Sequence, residues 1–192
     1  MANASTTGFG LRPIQKIGQN DNNAGLSEWL VAASSAAMYH NDMVMLTADG
    51  VVLRSTDSSA NNLGSLNGVF YTDATTSKPT FQNYLQSGNT ASDIQALVND
   101  NPLQMYEIRA DNTGAAAQGD VGKVADIVYA AGSSPNYVSG AMLDDSDIAA
   151  GASKQLKIVG LSRDPDNRDL TAAGVVWRVV INESFFLDDS GI

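Results

Sequence analysis

The chain has 192 residues, with 11 Lys and Arg against 21 Asp and Glu, so its formal net charge is −10. Nucleic-acid backbones and anionic membrane surfaces repel such a protein, and we expect neither as a partner. The sequence has no Cys and a single His. These counts exclude disulfides, zinc ribbons, haem and iron–sulfur ligation, thiol catalysis and metal sites that need two imidazoles.

The length fits one domain at about 100–200 residues per domain, and a hydrophobic content of 43% is enough for a core. The N-terminus lacks the basic and apolar regions of a targeting segment. No run approaches the ~20 apolar residues that a membrane helix needs. We therefore expect a single domain over residues 26–192 that does not span a membrane, preceded by a distinct segment, residues 1–25.

Residues 1–25 differ from the rest of the chain. Their glycines and proline are dense enough to interrupt helices and central strands, and their apolar residues follow neither the strand period nor the helix period. One interpretation is an extended N-terminal arm whose side chains dock singly into grooves of a partner; the other is a frayed terminus. In the first interpretation the partner-contact residues are Phe9, Leu11, Arg12, Ile14 and Ile17.

From Ser27 onward, short runs of β-branched and aromatic residues alternate with clusters of Asn, Asp, Gly and Ser, a pattern typical of strands and turns. The clearest unit is a hairpin with strands at 43–47 and 51–54, joined by Ala48-Asp49-Gly50. Because Asp-Gly suits the positive φ angles of a type I′ turn, we predict that turn here.

Six further runs predict strands. In the last of them Val175, Trp177, Val179 and Ile181 point to one side, which is wholly apolar, while the residues between them point to the other. This alternation predicts a central strand of a β-barrel-like body. The six runs are Glu28–Ala32, Leu66–Thr72, Met105–Ala110, Val124–Tyr129, Gln155–Ser162 and Val175–Asn182.

The stretch from residue 92 to 98 fits two structures. Ser92-Asp93-Ile94-Gln95 has the form of a capping box followed by apolar residues at helical spacing, yet Ile94, Ala96 and Val98 also alternate as in a strand. We favour the strand, because no other part of the chain is periodic enough to predict a helix. The predicted fold class is therefore mostly β: a single β-barrel-like domain with an extended N-terminal arm and few or no helices.

His40 is the one candidate for acid–base chemistry. It precedes the hairpin and lies two residues before Asp42, a pairing that general-base catalysis can use. The sequence has no Gly-x-Ser-x-Gly elbow and no phosphate-binding loop to accompany it. We interpret His40 as a loop residue without a catalytic part.

Two acidic clusters, at 144–147 and 164–169, invite a Ca²⁺ interpretation. The second fails as an EF-hand, because Arg168 stands where a ligand is needed and Leu170 replaces the turn glycine. We interpret it as a solvated turn in which Pro165 sets φ and Asp or Asn side chains bind local amides. The first is interpreted as a loop between two strands. The sequence predicts no catalytic, cofactor-binding or metal residue, and a binding or structural protein rather than an enzyme.

Several short segments, taken in their order along the chain, resemble those of a known protein family. The chain opens with Gly8-Phe9-Gly10-Leu11-Arg12-Pro13-Ile14, and its last strand ends with Val180-Ile181-Asn182-Glu183. Between them lie Gly68–Asp73, Lys78–Tyr84, Tyr106–Asp111, Gly119–Lys123, Leu156–Leu161 and Asp164–Asn167. Together these segments resemble small structural proteins of tailed bacteriophages, especially marine and cyanobacterial ones, known as capsid decoration or cement proteins.

This resemblance implies a β-barrel body on the outside of an icosahedral capsid, commonly as a homotrimer, that clamps neighbouring subunits of the major capsid protein. It implies a place on the virion exterior after synthesis in the host cytoplasm. It implies no catalysis and no cofactor. A protein that binds only the assembled lattice stabilises that lattice by mass action.

Two functions from other classes stay open. One is a receptor- or glycan-binding β module displayed on a virion, as in a tail or minor head protein, with Tyr71, Tyr84 and Tyr137 exposed to stack on sugar. The other is a hydrolase with paired carboxylates. Two carboxylates that face each other across a cleft would favour the second.

Overall fold

The computed structural model describes residues 3, 7–17, 25–56, 58–151 and 153–187. Within these ranges the fold is mostly β, as predicted, and the helical structure is a short 3₁₀ turn at Gln118–Asp120. No helix in them is long and apolar enough to cross a membrane. The strands are β1 Arg12–Lys16, β2 Ser27–Leu30, β3 Met43–Leu46, β4 Val52–Arg54, β5 Asn62–Thr72, β6 Pro79–Gln82, β7 Gln95–Asn99, β8 Gln104–Arg109, β9 Val124–Ala125, β10 Ile127–Val128, β11 Met142–Leu143, β12 Leu156–Leu161 and β13 Val176–Ile181.

Five antiparallel strands form sheet A, in the order β1-β8-β13-β12-β9. The predicted alternation of the last strand is confirmed, because Val175, Trp177, Val179 and Ile181 are all buried. A strand with one fully apolar face and a mixed second face suits the middle of a sheet, and β13 lies at the centre of sheet A.

Sheet B contains β2-β7-β5-β3-β4, and β6 adds to the far end of β5. The long strand β5 pairs with two strands along the same edge. Its first residues pair with β3, and Val69–Thr72 pair with β6. Strands β10 and β11 form a separate pair. In the described part of the chain no sheet closes on itself, so the barrel prediction is not confirmed.

The buried apolar residues form two cores, one under each sheet, called core A and core B here. Strand β3 contributes to both. Met43 packs in core A and its neighbour Val44 in core B, because successive side chains of a strand point to opposite sides. This alternation ties the two halves of the molecule together.

A buried polar seam also joins the two halves. The Gln155 side chain is fully buried; its Nε2 lies 3.0 Å from Ser55 Oγ and 2.7 Å from the Thr56 carbonyl oxygen, and its Oε1 accepts from the Ile127 amide at 3.0 Å. Ser55 in turn donates to Asn62 Oδ1 at 2.6 Å. A buried amide satisfied on both sides stabilises a unique docking of the elements it connects.

Part of the predicted arm belongs to the body. β1 pairs with β8, with Arg12 opposite Glu107, and the Leu11 side chain is fully buried. Pro13 is compatible with an edge strand, where its missing N–H interrupts no second ladder, and a bulge between Pro13 and Gln15 adjusts the register. Residues 8–17 are extended but do not project from the domain. The prediction for residues 1–2, 4–6 and 18–24 lies outside the described residues.

The 43–54 hairpin is confirmed, but the predicted turn type is wrong. Gly50 has φ +73°, whereas Asp49 is not left-handed as a type I′ turn requires. The Thr47 amide donates to the Val51 carbonyl at 3.0 Å and the Gly50 amide to the Thr47 carbonyl at 2.9 Å. This is a three-residue loop with glycine at the left-handed position, the other common way to close a hairpin.

Two other strand predictions are resolved by the fold. In the ambiguous stretch at 92–98, residues 95–98 lie in a strand, β7, as favoured, and residues 92–94 precede it. The predicted strand Val124–Tyr129 is split at Asp126, since β9 joins sheet A and β10 pairs with β11. The Asp126 carboxylate accepts from the Gln155 amide and from Lys154 Nζ, both at 3.1 Å, so this residue turns toward the polar seam instead of continuing the ladder.

Candidate protein-binding surfaces

The five residues predicted to contact a partner do not share one environment. Arg12 and Ile17 are exposed, and Phe9 and Ile14 are half-buried. Leu11 is fully buried in core A, so its prediction as a partner contact is wrong. Its role is to fix the N-terminal segment to the body.

Backbone geometry at Gly10 directs Leu11 inward. Gly10 has φ +69°, and a Cβ added there would lie 2.2 Å from the Asn41 carbonyl oxygen. The Gly10 amide donates to the Ala141 carbonyl at 3.1 Å, and the Leu11 amide to that of Asn41 at 2.8 Å. Glycine alone fits such a left-handed, closely packed position without strain. Gly10 and Leu11 therefore fix the N-terminal segment to the body directly before β1 begins.

Arg12 connects three parts of this surface. Its guanidinium carbon lies 4.7 Å from the centre of the Phe9 ring, within cation–π range. It also forms an ion pair with Glu107, whose second oxygen accepts from Ser162 Oγ at 2.6 Å. Phe9 and Arg12 line a groove of about 230 Å³ together with Asp164 and Asp166. Because half of the Arg12 side chain stays exposed, the ion pair itself adds little stability.

The outer edge of β1 pairs with no second strand in the described part of the chain. At its end, the Ile17 amide donates to the Leu103 carbonyl at 2.9 Å, and the side chains of Ile17 and Leu103 are 44% and 51% exposed. We call Phe9, Arg12, Ile17 and Leu103 the β1 edge surface. Unpaired strand edges with exposed apolar side chains are sites at which other proteins bind.

A second apolar surface lies on the outer face of sheet B. Phe81, Phe70, Gln95 and Leu30 are successive register partners across β6, β5, β7 and β2. Phe81, Phe70 and Leu30 are 54%, 46% and 45% exposed. We call these four residues the outer row. Sequence reasoning missed it, because β6 was not predicted and the pairing of four distant segments has no local signal.

The Phe81 ring packs over a glycine of the neighbouring strand. A Cβ added to Gly68 would lie 2.7 Å from Phe81 Cζ. The Phe81 ring on β6 therefore covers Gly68, its diagonal neighbour on β5. Such aromatic cover compensates for the missing side chain of a strand glycine. The ring is thus presented on the surface in a fixed position, which lowers the entropy lost when a partner packs on it.

His40 lies in a loop, as predicted. Its Nδ1 is 2.9 Å from the Asn67 carbonyl oxygen, and because a carbonyl can only accept, Nδ1 is the donor. The neighbouring Asp42 carboxylate is buried and accepts from the Tyr39 amide at 2.8 Å. Burial raises the pKa of Asp42 to about 6, with that hydrogen bond and the charge of Arg54 opposing the shift. Among the described hydrogen bonds none joins His40 to Asp42, so the His–Asp arrangement that general-base catalysis would use is not formed.

The two acidic clusters form local turns. Asp164 Oδ1 accepts from the Asp166 amide at 3.0 Å, as predicted, and the Asn167 side chain both donates to and accepts from the Val176 backbone at 2.8 Å. Residues 144–147 form the predicted loop, between β11 and β12, where Asp144 accepts from the Ser146 amide at 3.0 Å. Among the described residues, no group of three or more His, Asp or Glu side chains could hold a metal ion.

The carboxylates of Asp111 and Asp145 lie close together in two neighbouring loops. Thr113 Oγ1 donates within reach of Asp111 Oδ1 at 2.9 Å and Asp145 Oδ1 at 3.2 Å. Burial raises the pKa of Asp145, whereas the same effect at Asp111 is outweighed by hydrogen bonds to Asp145 and Thr113, which leave the pKa of Asp111 lowered. The pair is bridged by the loop's own donors rather than facing across a cleft.

The three tyrosines proposed as a sugar platform do not form one. Tyr71 is buried and donates to Gln82 Oε1 at 3.0 Å, so its predicted exposure is wrong. Tyr84 and Tyr137 stack on each other, with ring centroids 3.9 Å apart and planes at 10°. Each ring therefore covers a face that a sugar would need.

Comparisons with known proteins identify no family for this chain. The sequence matches no protein-family model. Searches of curated proteins and of solved structures also found no match.

Proposed function

We propose that this chain is a virion structural protein that binds the outside of an icosahedral phage capsid and stabilises contacts between major capsid subunits. The observation that carries the proposal is the β1 edge surface, an unpaired strand edge flanked by exposed apolar residues. The resemblance of the sequence to capsid decoration proteins supports the same role. The expectations that the protein is not an enzyme and needs no cofactor belong to this proposal.

The β1 edge surface suits a protein partner for two reasons. The outer edge of β1 offers backbone donors and acceptors to a strand of the partner. Ile17 and Leu103 offer apolar area beside that edge, where each fully buried side chain contributes on the order of 1.5–3 kcal/mol. A chain anchored by buried Leu11 holds this edge in place before binding, so the partner does not have to order it.

Reconstituted capsid shells that lack this protein test the proposal. Purified chain added to such shells should co-sediment with them, and the double change Ile17→Ser/Leu103→Ser should strongly reduce the bound fraction. Val159→Ser is the matched control, because Val159 is 37% exposed on β12, three strand positions away from β1 in sheet A. The control should bind as the unchanged protein does.

Phe9→Ala provides a second measurement on the same surface. Removing the ring also removes the cation–π contact that orients Arg12, so we expect weaker shell binding with an unchanged far-UV CD spectrum. Unchanged binding of both the double variant and Phe9→Ala would show that attachment does not use the β1 edge surface. Absence of binding by the unchanged chain would refute the proposed function itself.

A further inference from the structure

The outer row crosses the outer face of sheet B at the end where β2 ends and β7 begins, and its three apolar side chains are about half exposed. Phe81, Phe70, Gln95 and Leu30 span three strand spacings, or about 14 Å at about 4.8 Å each. The row itself is free of charge, and charged side chains such as Glu28, Lys78 and Asp93 lie beside it rather than in it. These aligned, half-exposed apolar side chains form one contiguous patch rather than scattered single residues, and the largest such patch on a protein surface is often functional.

We propose that this face packs against the same face of a second copy of the chain. Each copy has a formal net charge of −10, so two copies repel each other wherever acidic surface meets acidic surface. An uncharged row is where identical molecules can approach at the least electrostatic cost. In a twofold contact the same patch must be complementary to itself, and a neutral row meets that condition.

The order of residues in the row also suits a twofold axis. With the axis between Phe70 and Gln95, the reversed row places Phe81 of each copy against Leu30 of the other and Phe70 against Gln95. Gln95 lies next to the axis and carries no charge, so the two copies of this residue do not repel each other, and its amide can both donate and accept. Sheets that pack face to face in this way lie about 10 Å apart.

The exposed area limits the strength of this contact. Half-exposed aromatic side chains offer about 100 Å² each, so Phe70, Phe81 and Leu30 together offer about 300 Å². A stable interface needs about 800 Å² on each partner. The pair should therefore be weak and depend on concentration. The homotrimer implied by the resemblance would need a different surface, so the mass of the assembly separates the two hypotheses.

Analytical ultracentrifugation of the purified full chain over a range of concentrations tests the proposal. We expect a monomer–dimer equilibrium. The double variant Phe70→Ser/Phe81→Ser should weaken it by about 10-fold or more. Val159→Ser is the matched control, because Val159 is 37% exposed on the outward side of β12 in sheet A, and it should leave the equilibrium unchanged. Far-UV CD verifies that each variant is folded.

A charge exchange at Gln95 keeps the test informative if the double variant fails to fold. Gln95→Glu and Gln95→Lys should each dimerise less than the unchanged chain, since each places like charges near the axis, and an equimolar mixture should regain dimer. A monomer at every concentration, a trimer, or a dimer that ignores all these changes would overturn the proposal. The result does not depend on shell binding, so it stands apart from the proposed function.

Discussion

At the residue scale, Asp42 is a carboxyl group whose environment makes stability depend on pH. It is buried, and burial raises its pKa from 3.8 to about 6. The folded protein therefore holds this proton more tightly than the unfolded chain does. The stability that the protonated group confers is fully present below about pH 4, falls as the pH rises through about 6, and is gone above that.

Asp42→Asn should remove this part of the pH dependence. The amide oxygen can still accept from the Tyr39 backbone, while the charge that has to be buried above pH 6 is gone. We expect the free energy of unfolding at pH 7 to rise relative to the unchanged protein, by at most about 3 kcal/mol for a two-unit shift, with little difference at pH 4. Urea unfolding at pH 4, 5, 6 and 7 measures it. Asp49→Asn, in an exposed turn, should leave the change of unfolding free energy with pH as it is in the unchanged protein. The same pH dependence in all three proteins would show that Asp42 is not the group responsible.

At the element scale, β1 follows one fully buried side chain, pairs with β8 along one edge and leaves its other edge unpaired among the described residues. Leu11 is fully buried while Ile17, six residues later, is 44% exposed. Two aliphatic residues in one short segment thus have opposite roles. One stabilises the fold and the other is available to a partner.

Leu11→Ala and Ile17→Ala should separate these roles. The first leaves a cavity in core A and should lower the free energy of unfolding by about 2–5 kcal/mol; the second should change it by less than about 0.5 kcal/mol. Chemical denaturation of both variants provides the measurement, and hydrogen exchange should show protected amides in β1 of the unchanged chain. Similar stabilities for the two variants would mean that the segment is a detached arm after all.

At the scale of the whole molecule, two cores are joined by β3 and by the polar seam. Gln155 lies within 3.1 Å of acceptors on Ser55, Thr56 and Ser59, which belong to the connection from β4 to β5. The strand that begins directly after Gln155, β12, belongs to sheet A. The two sheets should therefore unfold in one cooperative transition.

Gln155→Ala should weaken that coupling. It leaves the Ile127 amide and the Ser59 and Thr56 carbonyl groups without their partner, and each buried unsatisfied group costs about 1–3 kcal/mol. We expect the free energy of unfolding to fall by several kcal/mol and the thermal unfolding transition, measured by calorimetry, to become broader. Gln118→Ala, at an exposed residue of the 3₁₀ turn, is the control. A variant as stable as the control would show that the seam does not couple the halves.

The sequence by itself determined the fold class and most of the strands. Alternation in Val175–Asn182 and the Asp-Gly signal at the 43–54 hairpin are local patterns, and strands and turns respond to local backbone preference and to burial of one face. The turn at 164–167 followed from the same kind of reasoning, because proline and Asx side chains act on amides two or three residues away. The strand alternation, the hairpin itself and the turn at 164–167 depended on neighbours in sequence and were confirmed, whereas the type of the hairpin turn was not.

Only the tertiary structure decided which side chains meet. The split at Asp126, the burial of Leu11 and Tyr71, and the three-residue loop at Gly50 each depend on groups distant in sequence or on a choice between nearly equal turn geometries. The outer row joins four strands from residue 30 to residue 95. A pattern along the chain states which residues are apolar, but sheet register determines which apolar residues become neighbours, because a shift of one residue moves every side chain to the opposite face.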